Sequence, residues 1–303
     1  MSQAESLPAP AGPLPVSPSM AGSVGYLLHR AFLQTQDILV ARVGGERHPR
    51  DLTLLAHLRA AGPCSQQELA TRMSVNRSVM VGVIDALERD GLVVRERNPA
   101  DRRSYAVTAT DRADELLERL TPTMLAGDAE LTRRLSAAER REVMALLRTL
   151  LGPSLPVVVA PASKMVGYLV ARAHWRLHVR ADEALEALGI EVREFGALAT
   201  LDDVAPCPQQ LVATLTGVSG PVIVELMDAL EPRGLVRRER NPLDRRSYAL
   251  QLSEAGSELV GRARAVLASE IDDQIVEALG DPSAYDRLAA LLRQMIGAAD
   301  PPD

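Results

Sequence analysis

The spacing of hydrophobic residues changes several times along this chain, and the same changes return in its second half. Apolar residues between Val24 and Leu39 recur every three or four positions, which predicts an amphipathic helix over about 23–43. A matching pattern runs from about residue 163 to Leu188 and ends at Gly189. The pattern therefore predicts two copies of one fold.

Each copy continues with the same order of predicted elements. A short helix is followed by a helix, a tight turn, a further helix, a two-stranded hairpin and two closing helices. Ser65 and Glu68 have the spacing of a capping box, and Thr110 and Ser253 have the character of N-caps. In the first copy the predicted helices are 50–61, 63–73, 77–89, 110–135 and 136–151, with strands over 92–97 and 104–108. In the second copy the helices are 193–204, 208–215, 219–230, 253–279 and 282–296.

The Pro-rich stretches divide the chain into domains. Residues 1–20 carry five prolines among small residues and predict a disordered tail, and residues 152–162 carry three and predict a linker. The first unit then spans 21–151 and the second 163–298. The predicted fold class is mainly α (α+β), with two tandem domains joined through long terminal helices.

The hairpin is the most strongly repeated segment. Comparison of 84–107 with 227–250 gives 18 identities in 24 positions. Each tip reads Asn-Pro-x-Asp between arginines, with a local charge of +2 over 95–103 and +3 over 237–246. The bland interpretation is a solvated hairpin tip, but its occurrence twice after a helix-turn-helix pattern favours a nucleic-acid contact.

Composition narrows the function classes only modestly. The net charge of −6 argues against a nucleic-acid partner unless charge is segregated, as it is in the hairpins. Cys64 and Cys207 make no disulfide framework, and the chain shows neither a signal-peptide pattern nor an 18-residue apolar run. The expected compartment is the cytoplasm, with no membrane contact. No nucleophile elbow, phosphate-binding loop or metal triad is present, so we expect no enzyme and no cofactor.

Helix, helix, tight turn, helix and ribbon make a winged helix-turn-helix, and this chain resembles the MarR family of regulators in two successive units over 22–297. The resemblance is carried by the run from Gly91 to Tyr105, by its copy from Gly234, and by the closing helix after Leu135. Members of the family are usually homodimers that grip a palindromic operator. The resemblance implies a single-chain pseudo-dimer whose recognition helices lie roughly 34 Å apart on double-stranded DNA.

The resemblance also implies roles for the hairpin residues. Arg103 and Arg246 would enter the minor groove, where a narrow groove concentrates negative potential. Asp101 and Asp244 would hold these arginines. The candidate phosphate contacts are Arg95, Arg97, Arg238 and Arg240, and the wing candidates also include Arg102 and Arg245.

The two recognition helices differ in their chemistry. Asn76, Arg77 and Ser78 offer donors and acceptors for base edges, whereas the second helix begins with Ser219 followed by Gly-Pro and carries Glu225. We expect an asymmetric operator that unit one reads and unit two grips through its wing. The alternative is that unit two has lost DNA binding.

Family members bind small, often phenolic or aromatic, molecules between the terminal helices and the winged core. The expected pocket residues are Tyr26, His29, Phe32 and His57 in unit one, and Tyr168, His174, Trp175, His178 and Phe195 in unit two. Ordinary packing is an equal alternative. His174 and His178 at i and i+4 have zinc-ligand spacing but lack a third ligand in the sequence, so we expect no metal.

Two functions stay open from the sequence. The first is a ligand-responsive transcriptional repressor. The second is a drug-binding or sequestering protein on a degenerate regulator scaffold.

Overall fold

The computed structural model describes residues 15–43, 47–73, 77–97, 105–152, 164–240 and 248–298. Within these ranges the side chains of residues 49, 60–61, 71–73, 77–78, 240 and 248 are not described. The wing tips, Asn76 and the Pro-rich linker lie outside these ranges.

The first unit has six helices and a three-stranded sheet among the described residues. The helices are α1 (Val24–Val43), α2 (Pro49–Ala61), α3 (Gln66–Met73), α4 (Arg77–Arg89), α5 (Asp111–Leu131) and α6 (Ala137–Leu151). The strands are β1 (Cys64–Ser65), β2 (Val93–Arg97) and β3 (Tyr105–Ala109), in the antiparallel order β1-β3-β2.

The second unit repeats this order with one change in its long helix. Its helices are α7 (Val166–Leu185), α8 (Val192–Val204), α9 (Gln209–Thr216), α10 (Gly220–Leu230), α11 (Glu254–Leu267), α12 (Asp273–Leu279) and α13 (Pro282–Ile296). Its strands are β4 (Cys207–Pro208), β5 (Val236–Arg240) and β6 (Tyr248–Leu252), in the order β4-β6-β5. A π-helical turn, Ala268–Asp272, joins α11 to α12.

Local side-chain chemistry sets the helix starts as predicted. The Ser65 amide donates to the Glu68 carboxylate at 2.8 Å, and the Glu68 amide donates to the Ser65 hydroxyl at 3.2 Å. Thr110 caps α5 by accepting from the amide of Ala113, and Ser253 caps α11 by accepting from the amide of Gly256. The predicted fold class and the two winged helix-turn-helix units are confirmed.

Three hydrophobic cores hold the chain together. One fills each winged domain, and the third is shared by helices of both units, including residues of α1, α6, α7 and α13. Phe32 of α1 and His174 of α7 occupy equivalent repeat positions, and their rings stack with centroids 4.5 Å apart. Contact between equivalent residues is the arrangement expected close to a two-fold axis in an isologous dimer.

The predicted tail boundary at residue 20 is wrong at its inner end. Pro18–Met20 forms a 3₁₀ turn, and Met20 is buried in the winged core of unit two. The hydroxyl of Ser17 donates to the Asp203 carboxylate, and the amide of Ser19 donates to it at 3.0 Å. Proline-rich composition favours an extended chain, but these anchors give residues 15–20 a defined place on unit two.

Helix length and composition bear on a membrane span. Among the described residues, no single helix is long and apolar enough to cross a bilayer, and the bent pair Gln209–Thr216 and Gly220–Leu230 meets the test by length and composition only.

Candidate functional site

A cavity of about 350 Å³ lies where the shared helices meet the winged core of unit two. Both units contribute to its walls, and a volume of this size suits a small organic ligand. Its apolar lining includes Met20, Leu177, Phe195, Val218, Leu267 and Ile271. Its polar lining includes Tyr26, His29, His174, His178, Arg193 and Asp272.

Residues that the sequence assigned to two separate pockets line a single cavity in the structure. Tyr26 and His29, assigned to a unit-one pocket, line the same cavity as His174, His178 and Phe195. The cause is that α1 packs along α7, so the first helix of unit one reaches the winged core of unit two. A pocket assembled from one unit's own helices was therefore the wrong expectation for these residues.

The other four predicted pocket residues lie outside this cavity's lining. Phe32 and Trp175 pack against His174, with Trp175 5.1 Å from it between ring centroids. His57 is buried in α2 at 2% exposure. Tyr168 packs against the shared core.

The cavity histidines are shielded from solvent to different degrees, since His174 is buried whereas His29 and His178 are partly buried. Burial lowers the pKa of His29 to about 4, with Arg30 and His178 adding to the shift. Burial also lowers the pKa of His174 well below its usual value, and it lowers the pKa of His178 against the opposing effect of Asp182. Neutral imidazole both donates and accepts a hydrogen bond, so these rings present polar atoms without positive charge.

Helix α1 holds the end of α9, the first helix of the unit-two helix-turn-helix. The Tyr26 hydroxyl donates to the Leu215 carbonyl at 2.7 Å. The Arg30 guanidinium donates to the carbonyls of Leu215 and, at 3.1 Å, of Thr214. His29 Nε2 lies 3.3 Å from the Thr216 carbonyl. These contacts satisfy carbonyls that a helix C-terminus leaves unpaired, and they connect the cavity wall to the helix-turn-helix of unit two.

Both wings are anchored to their recognition helices by the same ion-pair network. The Arg95 guanidinium on β2 bonds to Asp85 and Glu88 of α4. Arg238 on β5 repeats this with Asp228 of α10 and with Glu231, the C-cap of α10, each at 2.6 Å. Both guanidinium groups therefore form ion pairs within the protein, which differs from the phosphate contact predicted for them.

The remaining DNA-contact candidates are only partly described. Arg97 is exposed on β2, and Ser219 is exposed before α10 with no capping bond from its hydroxyl. The side chains of Arg77, Ser78 and Arg240 are not described. Asn76, Asp101, Arg102, Arg103, Asp244, Arg245 and Arg246 lie outside the described residues, so their roles stay predictions.

The cysteines and the possible metal ligands are the remaining reactive side chains that the sequence singled out. Cys64 in β1 and Cys207 in β4 are buried thiols that are not joined in a disulfide. Burial raises the pKa of the Cys207 thiol to about 11, so it stays protonated at neutral pH. No group of three potential metal ligands occurs among the described residues.

Comparison with known proteins decides the family. The MarR family model matches twice, over residues 49–105 and 188–247. A putative transcriptional regulatory protein for the hcr operon of Thauera aromatica is 35% identical over 136 residues, which cover 44% of this chain and 81% of that protein. The chain belongs to the MarR family.

Other MarR-type relatives match in the same way. A transcriptional repressor of Mycobacterium bovis is 33% identical over 42% of this chain and 92% of its own length. The solved structure of BpsR from Bordetella bronchiseptica, whose DNA binding is described as regulated by 6-hydroxynicotinic acid, is 28% identical. It covers 42% of this chain and 92% of its own, with a TM-score of 0.40. The two model matches show that this chain carries two MarR units in tandem.

The sequence alone missed several parts of this MarR cavity. Asp272, Arg264 and the Ser19–Met20 turn all line it. One available signal was spacing: Asp128 follows its cap Thr110 by 18 residues, whereas Asp272 follows Ser253 by 19. An extra residue within a long helix is the mark of a π turn. No local pattern in residues 15–20 indicates their place on unit two.

The buried histidines predict an acid-sensitive fold. In the unfolded chain His29 titrates near pH 6.5, so between about pH 4 and 6.5 the unfolded state binds more protons than the native state. Stability must then fall as the pH drops through this window, and His29 alone contributes a loss of about 1–2 kcal/mol at pH 5. Urea unfolding at pH 7.5 and pH 5 should show a shallower pH dependence for His29→Gln than for the wild type. An equal pH dependence of the unfolding free energy in both proteins would contradict the lowered pKa assigned to His29.

Proposed function

We propose that this MarR-family chain is a ligand-responsive, DNA-binding transcriptional repressor that works as a single-chain pseudo-dimer. The observation that carries the proposal is the helical core shared by the two winged units, because one chain then supplies both DNA-gripping modules. The Mycobacterium bovis relative is named a transcriptional repressor, which supports repression as the sign of regulation.

The cavity supplies the ligand-response part of the proposal. A molecule bound between α1 and the unit-two core would contact Tyr26 and His29, which also bond to the end of α9. Occupancy would therefore move the helix-turn-helix of unit two relative to the shared helices. A shift of one module alters the spacing of the two recognition helices, and DNA affinity falls as a result.

Arg95 and Arg238 have a positioning role in this proposal. Each guanidinium ties a wing strand to two carboxylates of its recognition helix, so wing and helix would move together as one body. The minor-groove contact is left to Arg103 and Arg246.

The test is a gel shift with the chain's own promoter region at low and high salt. A repressor that neutralises phosphates must bind less tightly as salt rises, and light scattering should find one chain per DNA. Two chains per DNA would contradict the pseudo-dimer. A gel shift that does not depend on salt, or the absence of any shift, would favour the sequestering alternative.

The sequestering alternative is supported by the face of α10. Val224 is 42% exposed, and Glu225 is exposed beside it, where a base-reading helix usually presents donors. Footprinting with Arg77→Ala and Glu225→Ala separates the two units. Under the asymmetric-operator hypothesis, Arg77→Ala removes protection at one half-site, whereas Glu225→Ala leaves both protected. Equal loss at both half-sites in both variants would end the asymmetry hypothesis.

A further inference from the structure

Asp272, a carboxyl group on the cavity wall, has no positively charged partner among the described residues, whereas its counterpart in unit one, Asp128, has two strong donors. In unit one, Asp128 accepts from the Gly167 amide at 2.8 Å and from Arg140 at 2.6 Å. Its side chain is only 3% exposed, and these contacts compensate its burial.

Unit two replaces this arrangement. Asp272 accepts from the Tyr285 hydroxyl at 2.7 Å, and that hydroxyl accepts from the Val24 amide at 3.2 Å. Tyr285 follows its helix cap Asp281 by four residues, as Arg140 follows Ser136, so a neutral phenol stands where unit one has a guanidinium. Burial raises the pKa of Asp272, and the charged neighbour that acts on it, Asp273, raises that pKa further.

The π turn gives this carboxyl its place on the cavity wall. Ala268–Asp272 inserts one residue relative to α5, and both Ile271 and Asp272 line the cavity. Turns of this kind are frequently found at functional sites.

The other charged groups around the cavity are already paired. Arg264 lies 3.3 Å from Asp202 and 3.6 Å from Asp203, and Arg193 lies 2.5 Å from Glu191. The cavity histidines add no positive charge at neutral pH, because burial lowers the pKa of each of them. His174 has ring contacts on several sides but no hydrogen bond within the described residues, so its imidazole stays available to a ligand.

Asp272 is partly buried, and a partly buried carboxylate is stabilised when a cation or strong donors compensate it. Among the described residues the chain supplies Tyr285 and no cation, so a bound ligand can supply the compensating positive charge. We infer that the cavity takes an apolar, ring-sized amine, with its protonated nitrogen at Asp272 and its ring among Met20, Phe195 and Leu267. This inference rests on the proposed ligand response and names the ligand class, which differs from the phenolic effector expected from the sequence.

The test compares three probes that share one ring system: 2-naphthylmethylamine, 2-naphthylmethanol and 2-naphthoate. Calorimetry at pH 7.5 should show the amine binding at least about 10-fold more tightly than the alcohol or the acid, since a close charge pair contributes more than a neutral hydrogen bond. Asp272→Asn should bring the amine to within about threefold of the alcohol. Asp273→Asn is the matched control, because its carboxylate is exposed outside the cavity, and it should keep the preference.

The outcomes separate this inference from the proposed function. Equal or tighter binding of the acid, a retained preference in Asp272→Asn, or no binding of any probe would overturn the amine assignment. If Asp272→Asn fails to fold, Tyr285→Phe tests the same point: the carboxylate loses its neutral donor, so the amine should bind at least as tightly. A 10-fold loss of amine affinity in Tyr285→Phe would overturn the amine assignment. Failure of the promoter gel shift would instead overturn the DNA-binding role and leave amine binding intact.

Discussion

Replacing both predicted minor-groove arginines, Arg103→Ala with Arg246→Ala, is expected to weaken binding to the promoter DNA by at least roughly 30-fold. Each arginine that contacts DNA contributes about 1–3 kcal/mol, and removal of each phosphate-neutralising charge lowers the salt dependence by about one unit. The measurement is a titration by fluorescence anisotropy at several salt concentrations.

The matched control is Arg134→Ala with Arg287→Ala. It removes the same charge from the region of the shared helices, where Arg134 lies in the turn between α5 and α6 beside Gly297, and Arg287 of α13 pairs with Glu142 at 2.7 Å. This control should bind DNA within about threefold of the wild type, because a rim charge far from DNA acts mainly through screened electrostatics.

The single variants then assign the two units. Comparable losses for Arg103→Ala and Arg246→Ala mean that both wings grip DNA, as the near-identity of 95–105 and 238–248 predicts. A loss confined to Arg103→Ala would show that unit two has given up DNA binding. No loss in the double variant would remove the wing assignment altogether.

Arg30→Met is expected to reduce the free energy of unfolding by about 2–4 kcal/mol. The Arg30 guanidinium is 4% exposed and donates to the carbonyls of Thr214 and Leu215 at the end of α9. Methionine keeps much of the apolar stem but leaves these buried acceptors with fewer donors, and unsatisfied buried acceptors cost about 1–3 kcal/mol each. Urea denaturation gives the stability change.

Arg172→Met is the matched control from the other unit. Arg172 follows Tyr168 as Arg30 follows Tyr26, but its Nε atom is buried without a hydrogen-bond partner in the described part of the chain. We expect a loss of about 1 kcal/mol or less, since fewer native bonds are broken. Equal losses in the two variants would contradict a special role for the contact between α1 and α9.

Promoter binding by Arg30→Met tests the connection between cavity and DNA. Because Arg30 fixes the helix-turn-helix of unit two, its loss should weaken DNA binding and reduce any effect of a cavity ligand on it. If a folded Arg30→Met protein keeps the wild-type effect of the cavity ligand on DNA affinity, the contact between Arg30 and α9 does not connect the cavity to DNA binding.

The sequence by itself determined the elements and the duplication. Caps such as Ser65, Thr110 and Ser253 act over three or four residues, and hydrophobic period depends on local geometry, so both can be recognised without a tertiary structure. The repeated wing was equally visible, because the same arginines and turn residues return in the same order.

Only the tertiary structure decided which residues share a cavity. Tyr26 and His174 are far apart in sequence and were assigned to separate pockets, but the packing of α1 along α7 brings them to one wall. The roles of Arg95 and Asp272 were decided in the same way. Arg95 bonds to two carboxylates of the neighbouring helix α4. Among the described residues, Asp272 lacks the guanidinium partner that its unit-one counterpart Asp128 has. The physical reason is that a charged side chain's function depends on its partners in space, and a chain pattern specifies only its neighbours in sequence.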